Sequence, residues 1–404
     1  MTQPRSERWL VAVTEYAGLT EYTGGIGRHY ASLLPGLVRL GITVELVVFS
    51  DGPMVPDRDL DGVHLLRFHN TSTVPRALLL PERARQVRKA YRRGQYDRVL
   101  LPEWAALGAF LPVRAPLLTN LATSMALANE VAGRALSDFP LSSRIVVSVQ
   151  NNLESRQIRR SAGLIAISHA MLHWTMRRFT EIPPARVVRN CIDVDRVAAA
   201  ARSSEIPVGW PAGDNPTVLF LGRLERRKGV VEAMRAFAQV LEAFPNAHLV
   251  MAGASGDRRF EPDRAELLSY LSTASRDLVT WLGHVPGDAL YRAIHEATVT
   301  ICPSRWEGFG NVALEVKAIG SPLVCTAGSG FDDFCENGVD CLMVAAGDPE
   351  ALAEAIIQVF ARPLLGVELG RVAAARVAPF AADPVAADLA LAADDLLGAV
   401  RKPL

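Results

Sequence analysis

Short apolar runs alternate with stretches of helical periodicity along the whole chain. Trp9 to Val13 reads as a strand, a helix follows from about Ile26, and Thr43 to Phe49 and His64 to Phe68 read as further strands. A basic helix is expected from Pro81 to Arg93, then strand-like runs at Arg98 to Leu101, Leu117 to Leu118, Gly163 to Ile167 and Val187 to Val188. This rhythm predicts an α/β domain with a mainly parallel sheet. Between Asn190 and Pro216 the pattern loosens into Ala, Ser, Pro and Gly, which is turn and linker chemistry and places a boundary there.

The alternation then restarts. Strands are expected at Thr217 to Leu221, His248 to Ala252, Val279 to Leu282, Val299 to Cys302 and Pro322 to Cys325, with a short one near Cys341 to Val344. Between the first two, Val230, Val231, Met234, Phe237, Val240, Leu241 and Phe244 recur three or four apart, one core-facing stripe of a helix. Asp348 and Pro349 start another helix to Ala361, and in the Ala- and Leu-rich tail Asp383 is expected as the cap of a helix with Pro384 in its first turn. The domains are drawn at 1–195, 196–378 and a tail helix in 379–404.

The chain's 404 residues, 50% hydrophobic and 21% charged, are enough to bury two large cores. Forty-three basic residues balance 43 acidic ones, so no global field recruits nucleic acid or an anionic membrane. The start has no long apolar core of a signal peptide, and Val99 to Val113 is too short and too broken to span a bilayer. A cytoplasmic protein is expected, with peripheral membrane association left open. Cys191, Cys302, Cys325, Cys335 and Cys341 show neither a CxxC pair nor a zinc spacing, and read as reduced, buried small hydrophobes.

Three segments carry candidate chemistry. In SRWEGFGNVALEVKAIGSPLVCT, from Ser304, a buried strand leads into the loop Glu307 to Gly310 and a helix from Asn311, with Asn311 as its cap. Such a helix aims free N–H groups at an anion in the loop, and Gly308 and Gly310 let backbone approach a ligand. Glu307 and Glu315 then suit two sets of hydroxyls better than one metal ion. In FLGRLERRKG, Arg223 lies just past a strand and Lys228 just before a helix, at the sheet edge where α/β proteins bind ligands. Two cations there suit a diphosphate. In YTGGIGR, Gly24, Gly25 and Gly27 open a helix and offer amides to a phosphate or sugar hydroxyl, or simply make a tight loop.

FLGRLERRKG, LVMAG from Leu249, WLGHVPGDALYRAI from Trp281 and the Ser304 segment, in that order and spacing, resemble the C-terminal domain of family 4 glycosyltransferases. TEYAGLTEYTGGIGRHYASLL, LIAISHAM and VVRNCIDVDRV resemble its N-terminal half more loosely, so the likeness covers about the whole chain. It implies a GT-B architecture: two Rossmann-like domains facing a central cleft, with the C-terminal helix crossing back to the first domain. It further implies a retaining hexosyltransferase that uses a nucleoside-diphosphate sugar, UDP or GDP, and an acceptor hydroxyl on a small molecule, glycan or lipid-linked carrier. Neither a metal nor another cofactor is expected.

By the same resemblance Arg223 and Lys228 bind the diphosphate, Glu307 and the backbone of Phe309 and Gly310 hold the transferred sugar, and Glu315 binds the ribose. Asn311 belongs to the same donor loop, Val285 lies by the base, and Gly25 and Gly27 approach from the N-terminal domain. Many relatives carry a histidine where this chain has PLLTNLATSMA, and there Asn120 and Thr123 are the polar substitutes. Glu15 and Tyr16 are expected on the acceptor side. Glu103 reads as strand-end solvation or capping, and His29 and His169 as packing or surface residues. A sugar phosphorylase and a catalytically silent nucleotide-sugar-binding subunit are the alternatives on this scaffold.

Overall fold

The computed structural model describes residues 7–21, 23–55, 59–285 and 287–398, so Tyr22 of the glycine-rich loop and the last residues of the tail lie outside it. Two compact units result: Met1–Ile192 with Phe380–Leu404, and Asp193–Pro379.

In the first unit, β1 (Arg8–Val13), β2 (Thr43–Ser50), β3 (His64–Asn70), β4 (Arg98–Pro102), β5 (Leu117–Leu121), β6 (Gly163–Ala166) and β7 (Ala185–Val187) form one parallel sheet. Its order is β3-β2-β1-β4-β5-β6-β7, with Val11 opposite Leu46 on one side and Leu100 on the other. A strand covered on both faces needs no polar alternation, and this is why WLVAV is apolar throughout. Trp9, Val11 and Val13 pack with Leu33, Leu34 and Leu37 of the helix Gly25–Arg39. Leu10 and Ala12 pack on the opposite face with Val87 and Leu101.

The tail helix, Ala382–Leu397, returns to this unit and lies on Gly25–Arg39. Gly36 permits the approach: a Cβ there would stand 2.8 Å from the Cβ of Ala386 and 2.9 Å from the Ala382 carbonyl oxygen. Asp383 is not the cap expected of it, because the helix begins two residues earlier than expected, at Ala382 with Ala381 in the cap position. Its carboxylate instead accepts from Arg39 Nε at 2.7 Å.

In the second unit, β8 (Thr217–Leu221), β9 (His248–Ala252), β10 (Val279–Gly283), β11 (Val299–Cys302), β12 (Leu323–Thr326) and β13 (Leu342–Val344) form a parallel sheet in the order β10-β9-β8-β11-β12-β13. The predicted stripe of Val230–Ala243 is buried at Val230, Val231, Met234, Phe237 and Val240, with Leu241 and Phe244 packed at its margin.

Three helices depart from the sequence reading. Val194–Ser203 occupies part of the expected linker; Asp193 caps it by accepting from Arg196 N–H at 3.1 Å, and Val197, Ala200 and Ala201 bury its apolar edge. The basic helix starts at Arg76 and runs through Pro81. Leu141–Arg160 carries little apolar periodicity because Gln150, Glu154 and Gln157 take core positions that a stripe would give to Leu or Val. Among the described residues no helix is long and apolar enough to cross a membrane.

Candidate active site

In the second sheet the strand order reverses between β8 and β11, and at such a switch point the loops leaving adjacent strands diverge to opposite faces and open a crevice at their carboxyl ends. The loop after β8 carries Arg223 to Lys228 and the loop after β11 carries Ser304 to Gly310. They are fastened to each other. Arg305 N–H donates to the Arg227 carbonyl at 2.9 Å, and Arg305 Nε and Nη2 both donate to Glu232 Oε1, at 2.9 and 2.7 Å. Gly229 turns at φ +74°, and a Cβ there would meet the Pro303 carbonyl oxygen at 1.9 Å, so only glycine lets the first loop close onto the end of β11.

Glu307 lies where these loops meet, its side chain 14% exposed. Lys228 Nζ donates to its Oε1, and Ser304 Oγ donates to the same oxygen at 2.7 Å. Thr326 Oγ1 in turn donates to the Ser304 carbonyl at 2.6 Å and fixes that residue to β12. Burial opposes ionisation of Glu307, but the charges of Lys228 and Arg227 and the two hydrogen bonds outweigh it and hold the carboxyl below its ordinary range. Glu307 is therefore an ionised acceptor with Oε2 available for hydroxyls. Lys228 spends one of three N–H donors on it.

Gly310 has φ +100°, and a Cβ on it would fall 2.2 Å from Phe331 Cε1. It, and not Asn311, occupies the cap position of the helix Asn311–Ile319, whose first residue is Asn311. The expected side-chain cap is thus replaced by a left-handed glycine, which leaves the first helical amides turned toward the loop. Phe309 is buried against Phe334, ring centroids 4.8 Å apart, and so anchors the loop with its side chain. Glu315 lies in the second turn of the helix and is buried. Arg223 is half exposed at the mouth of the loop and bonds Glu225 through Nε at 2.9 Å. Val285 follows β10, at the far edge of the same sheet end.

The first sheet has its own switch point, between β1 and β4. Here several expectations change. Glu15, expected on the acceptor side, is bonded within the chain: its carboxylate accepts from Gly24 N–H at 2.8 Å and from Gly27 N–H at 2.9 Å. The positive end of Gly25–Arg39 already holds an anion, supplied by the chain, and the amide that Gly27 was expected to offer a phosphate is committed to it. Gly25 opens the helix beside them. Tyr16 is a core residue. Asn120 bridges inside the unit, with Nδ2 donating to the Ile165 carbonyl at 3.1 Å and Oδ1 accepting from Tyr30 at 3.2 Å. Thr123 is half buried and its hydroxyl donates to the Ala122 carbonyl. His29 is a packing residue whose Nδ1 accepts from Cys191 N–H at 3.2 Å.

Glu103, at the end of β4, is not solvated, and although it holds the cap position of the turn Trp104–Ala106 its side chain makes no capping bond. It is 1% exposed and neither carboxylate oxygen has a hydrogen-bond partner. Burial, and then the neighbouring Glu154, raise its carboxyl well above the ordinary range. Glu154 is itself driven by burial to about 7, although it accepts from Gln150 Nε2 at 2.7 Å, Met125 N–H at 2.8 Å and Ala105 N–H at 3.1 Å. Ala105 and Ala106 are both left-handed, at φ +65° and +51°, so Glu154 stabilises a strained turn next to Glu103. Sequence reading missed Glu154 and Ser304. For Ser304 the S-x-x-E spacing within SRWE was the available signal.

Comparison with known proteins places this geometry. Residues 23–196 match the family model described as Glycosyltransferase Family 4, and residues 215–362 match one described as Glycosyl transferases group 1. The D-inositol 3-phosphate glycosyltransferase of Acidothermus cellulolyticus is 31% identical over 90% of this chain and 82% of its own length. Sucrose-phosphate synthase from Thermosynechococcus elongatus superposes with a TM-score of 0.75 at 23% identity, covering 98% of this chain and 100% of that one. Anabaena HepE, solved in complex with UDP-glucose, gives 0.68 at 17% identity over 95% and 98%. Two Rossmann-like parallel-sheet units, with the last helix on the first, are the GT-B architecture of a glycosyltransferase. The chain belongs to the family 4 glycosyltransferases.

Proposed function

We propose that the chain transfers a hexose-type sugar, with retention of configuration and without a metal, from a nucleoside-diphosphate sugar to a hydroxyl of a small-molecule, glycan or lipid-linked acceptor. The observation that carries this reading is the Lys228–Glu307 pair at the switch point of the second sheet. It sets an ionised sugar-hydroxyl acceptor beside an ammonium with two N–H groups left for an anion. As the glycosidic bond lengthens, negative charge collects on the departing diphosphate; Lys228, Arg223 and the amides at the start of Asn311–Ile319 are preorganised to stabilise it. The leaving phosphate oxygen takes the acceptor proton on the same face, so no side chain is required as a base. Phe309 and Gly310 complete the sugar contact through backbone groups, Glu315 binds the ribose, and Val285 lies by the base.

The test is a panel of nucleoside-diphosphate sugars read by released nucleoside diphosphate, with inositol 3-phosphate heading the acceptors because the Acidothermus relative's name gives it. Glu307→Gln should abolish transfer while nucleotide binding by calorimetry persists. Full turnover by that variant would remove Glu307 from the reaction. Product anomeric configuration decides between retention and inversion.

A further inference from the structure

The second unit brings together three cysteines that are far from a metal motif in sequence. Cys325 lies on β12, Cys341 immediately before β13, and Cys335 in the connection between these strands. All three are buried, and their sulfur atoms lie within 4.8 Å of one another. We propose that Cys325, Cys335 and Cys341 form a structural site for a thiophilic divalent cation of the zinc class.

The geometry is close to what such an ion needs. A zinc–thiolate bond is about 2.3 Å, so two thiolates on one tetrahedral ion stand ~3.8 Å apart, and closing this cluster onto an ion takes movements of less than about 1 Å per sulfur. Cys341 Sγ lies 3.8 Å from the Glu336 carbonyl oxygen, and the fourth position is left to water. Three sulfurs and one oxygen select zinc-class ions over the hard, all-oxygen cations.

A buried ion pair lies beside the cluster. Lys317 is 1% exposed, donates to the Phe334 carbonyl and to Asp340 Oδ2 at 2.8 Å, and acts electrostatically on Cys335 and Cys341. Asp340 is further bonded to Arg376 Nη1 at 3.2 Å and accepts from Glu336 N–H at 2.9 Å. The ion would also staple the connection that backs the candidate active site. From that connection Gly330 N–H donates to the Glu307 carbonyl at 3.0 Å, and Phe331 and Phe334 pack beneath Gly310 and Phe309.

The experiment uses the full chain purified under reducing conditions from zinc-supplemented medium. Elemental analysis should return about one zinc per chain. After chelation, cobalt titration should produce a thiolate-to-cobalt charge-transfer band saturating at one equivalent, and bound metal should shield the three thiols from alkylation read by mass spectrometry. Cys335→Ser, at the least buried of the three, should lower cobalt affinity by at least the ~10–100-fold that loss of an outer-shell partner alone costs. Circular dichroism of the variant distinguishes a lost ligand from a lost fold, and Cys191→Ser, in the other unit, should leave uptake unchanged. The proposal is overturned if the folded, reduced chain shows no charge-transfer band, if Cys335→Ser keeps full affinity, or if intact mass shows two of the thiols joined as a disulfide.

Discussion

The two switch points handle a buried carboxylate in opposite ways. At the second, Glu307 has an ammonium, a hydroxyl and a nearby guanidinium, and remains ionised despite its burial. At the first, Glu103 has no hydrogen-bond partner, and burial and then a second acid beside it push its carboxyl well above the ordinary range. The helix end that could have served the first site is closed by Glu15, whereas its counterpart in the second unit has Gly310 in the cap position and no side-chain cap. The same topology thus yields one site arranged to bind and stabilise charge and another whose charges are either neutralised or internally satisfied.

The sharpest way to break this contrast is Lys228→Met, which leaves Glu307 only the Ser304 hydroxyl and the charge of Arg227. Removing one preorganised cation from the developing diphosphate charge should lower kcat/KM by about 10²–10³-fold. Glu307 should also lose its strongest partner, so the variant's residual rate should fall on the acid side of neutrality where the parent's does not. A variant within tenfold of the parent over that range would show that the pair is structural.

Much of the second unit was legible in the sequence, because its strands are uninterrupted apolar runs and its site residues fall within a few positions of strand ends. Arg223, Lys228 and Glu307 are drawn together by topology alone once β8 and β11 are neighbours. What stayed hidden depends on pairings between distant residues. Nothing local in YTGGIGR says that Glu15 will fill its amides, and no spacing unites Glu103 with Glu154, 51 residues away. The helix Leu141–Arg160 was concealed by the buried polar residues that serve this second pairing. Cys325, Cys335 and Cys341 likewise converge only because β12 and β13 are adjacent.

Glu103→Gln probes the first site with a smaller effect. An unfolded glutamate ionises near ~4.3, while the folded carboxyl keeps its proton to higher pH, so between those values the native state binds more protons and stability falls as pH rises. For Glu154, at about 7, the same linkage removes roughly 3 kcal/mol by the time pH has risen past the folded value. An amide at 103 cannot ionise. The variant should therefore melt several degrees higher than the parent at pH 8, with little difference at pH 5, taking about 2–4 °C per kcal/mol for a domain of this size. Equal melting temperatures at both pH values would mean that Glu103 is ionised and partnered in solution.

The smallest expected effect concerns Glu15, and it separates charge from hydrogen bonding at the closed helix end. Glu15→Gln keeps one acceptor oxygen for either Gly24 or Gly27 but loses the anion that faces the positive end of Gly25–Arg39, an interaction of about 0.3–1 kcal/mol that salt screens. Melting should drop by about 1–4 °C at low salt, and added sodium chloride should narrow the gap between variant and parent. Because an amide and the positive helix end are then left without their anion, millimolar phosphate should raise the variant's melting temperature more than the parent's. If neither salt nor phosphate distinguishes them, Glu15 holds the loop by geometry alone, and the contrast between the two sheet ends is one of ionisation at Glu103 and Glu307 rather than of helix ends.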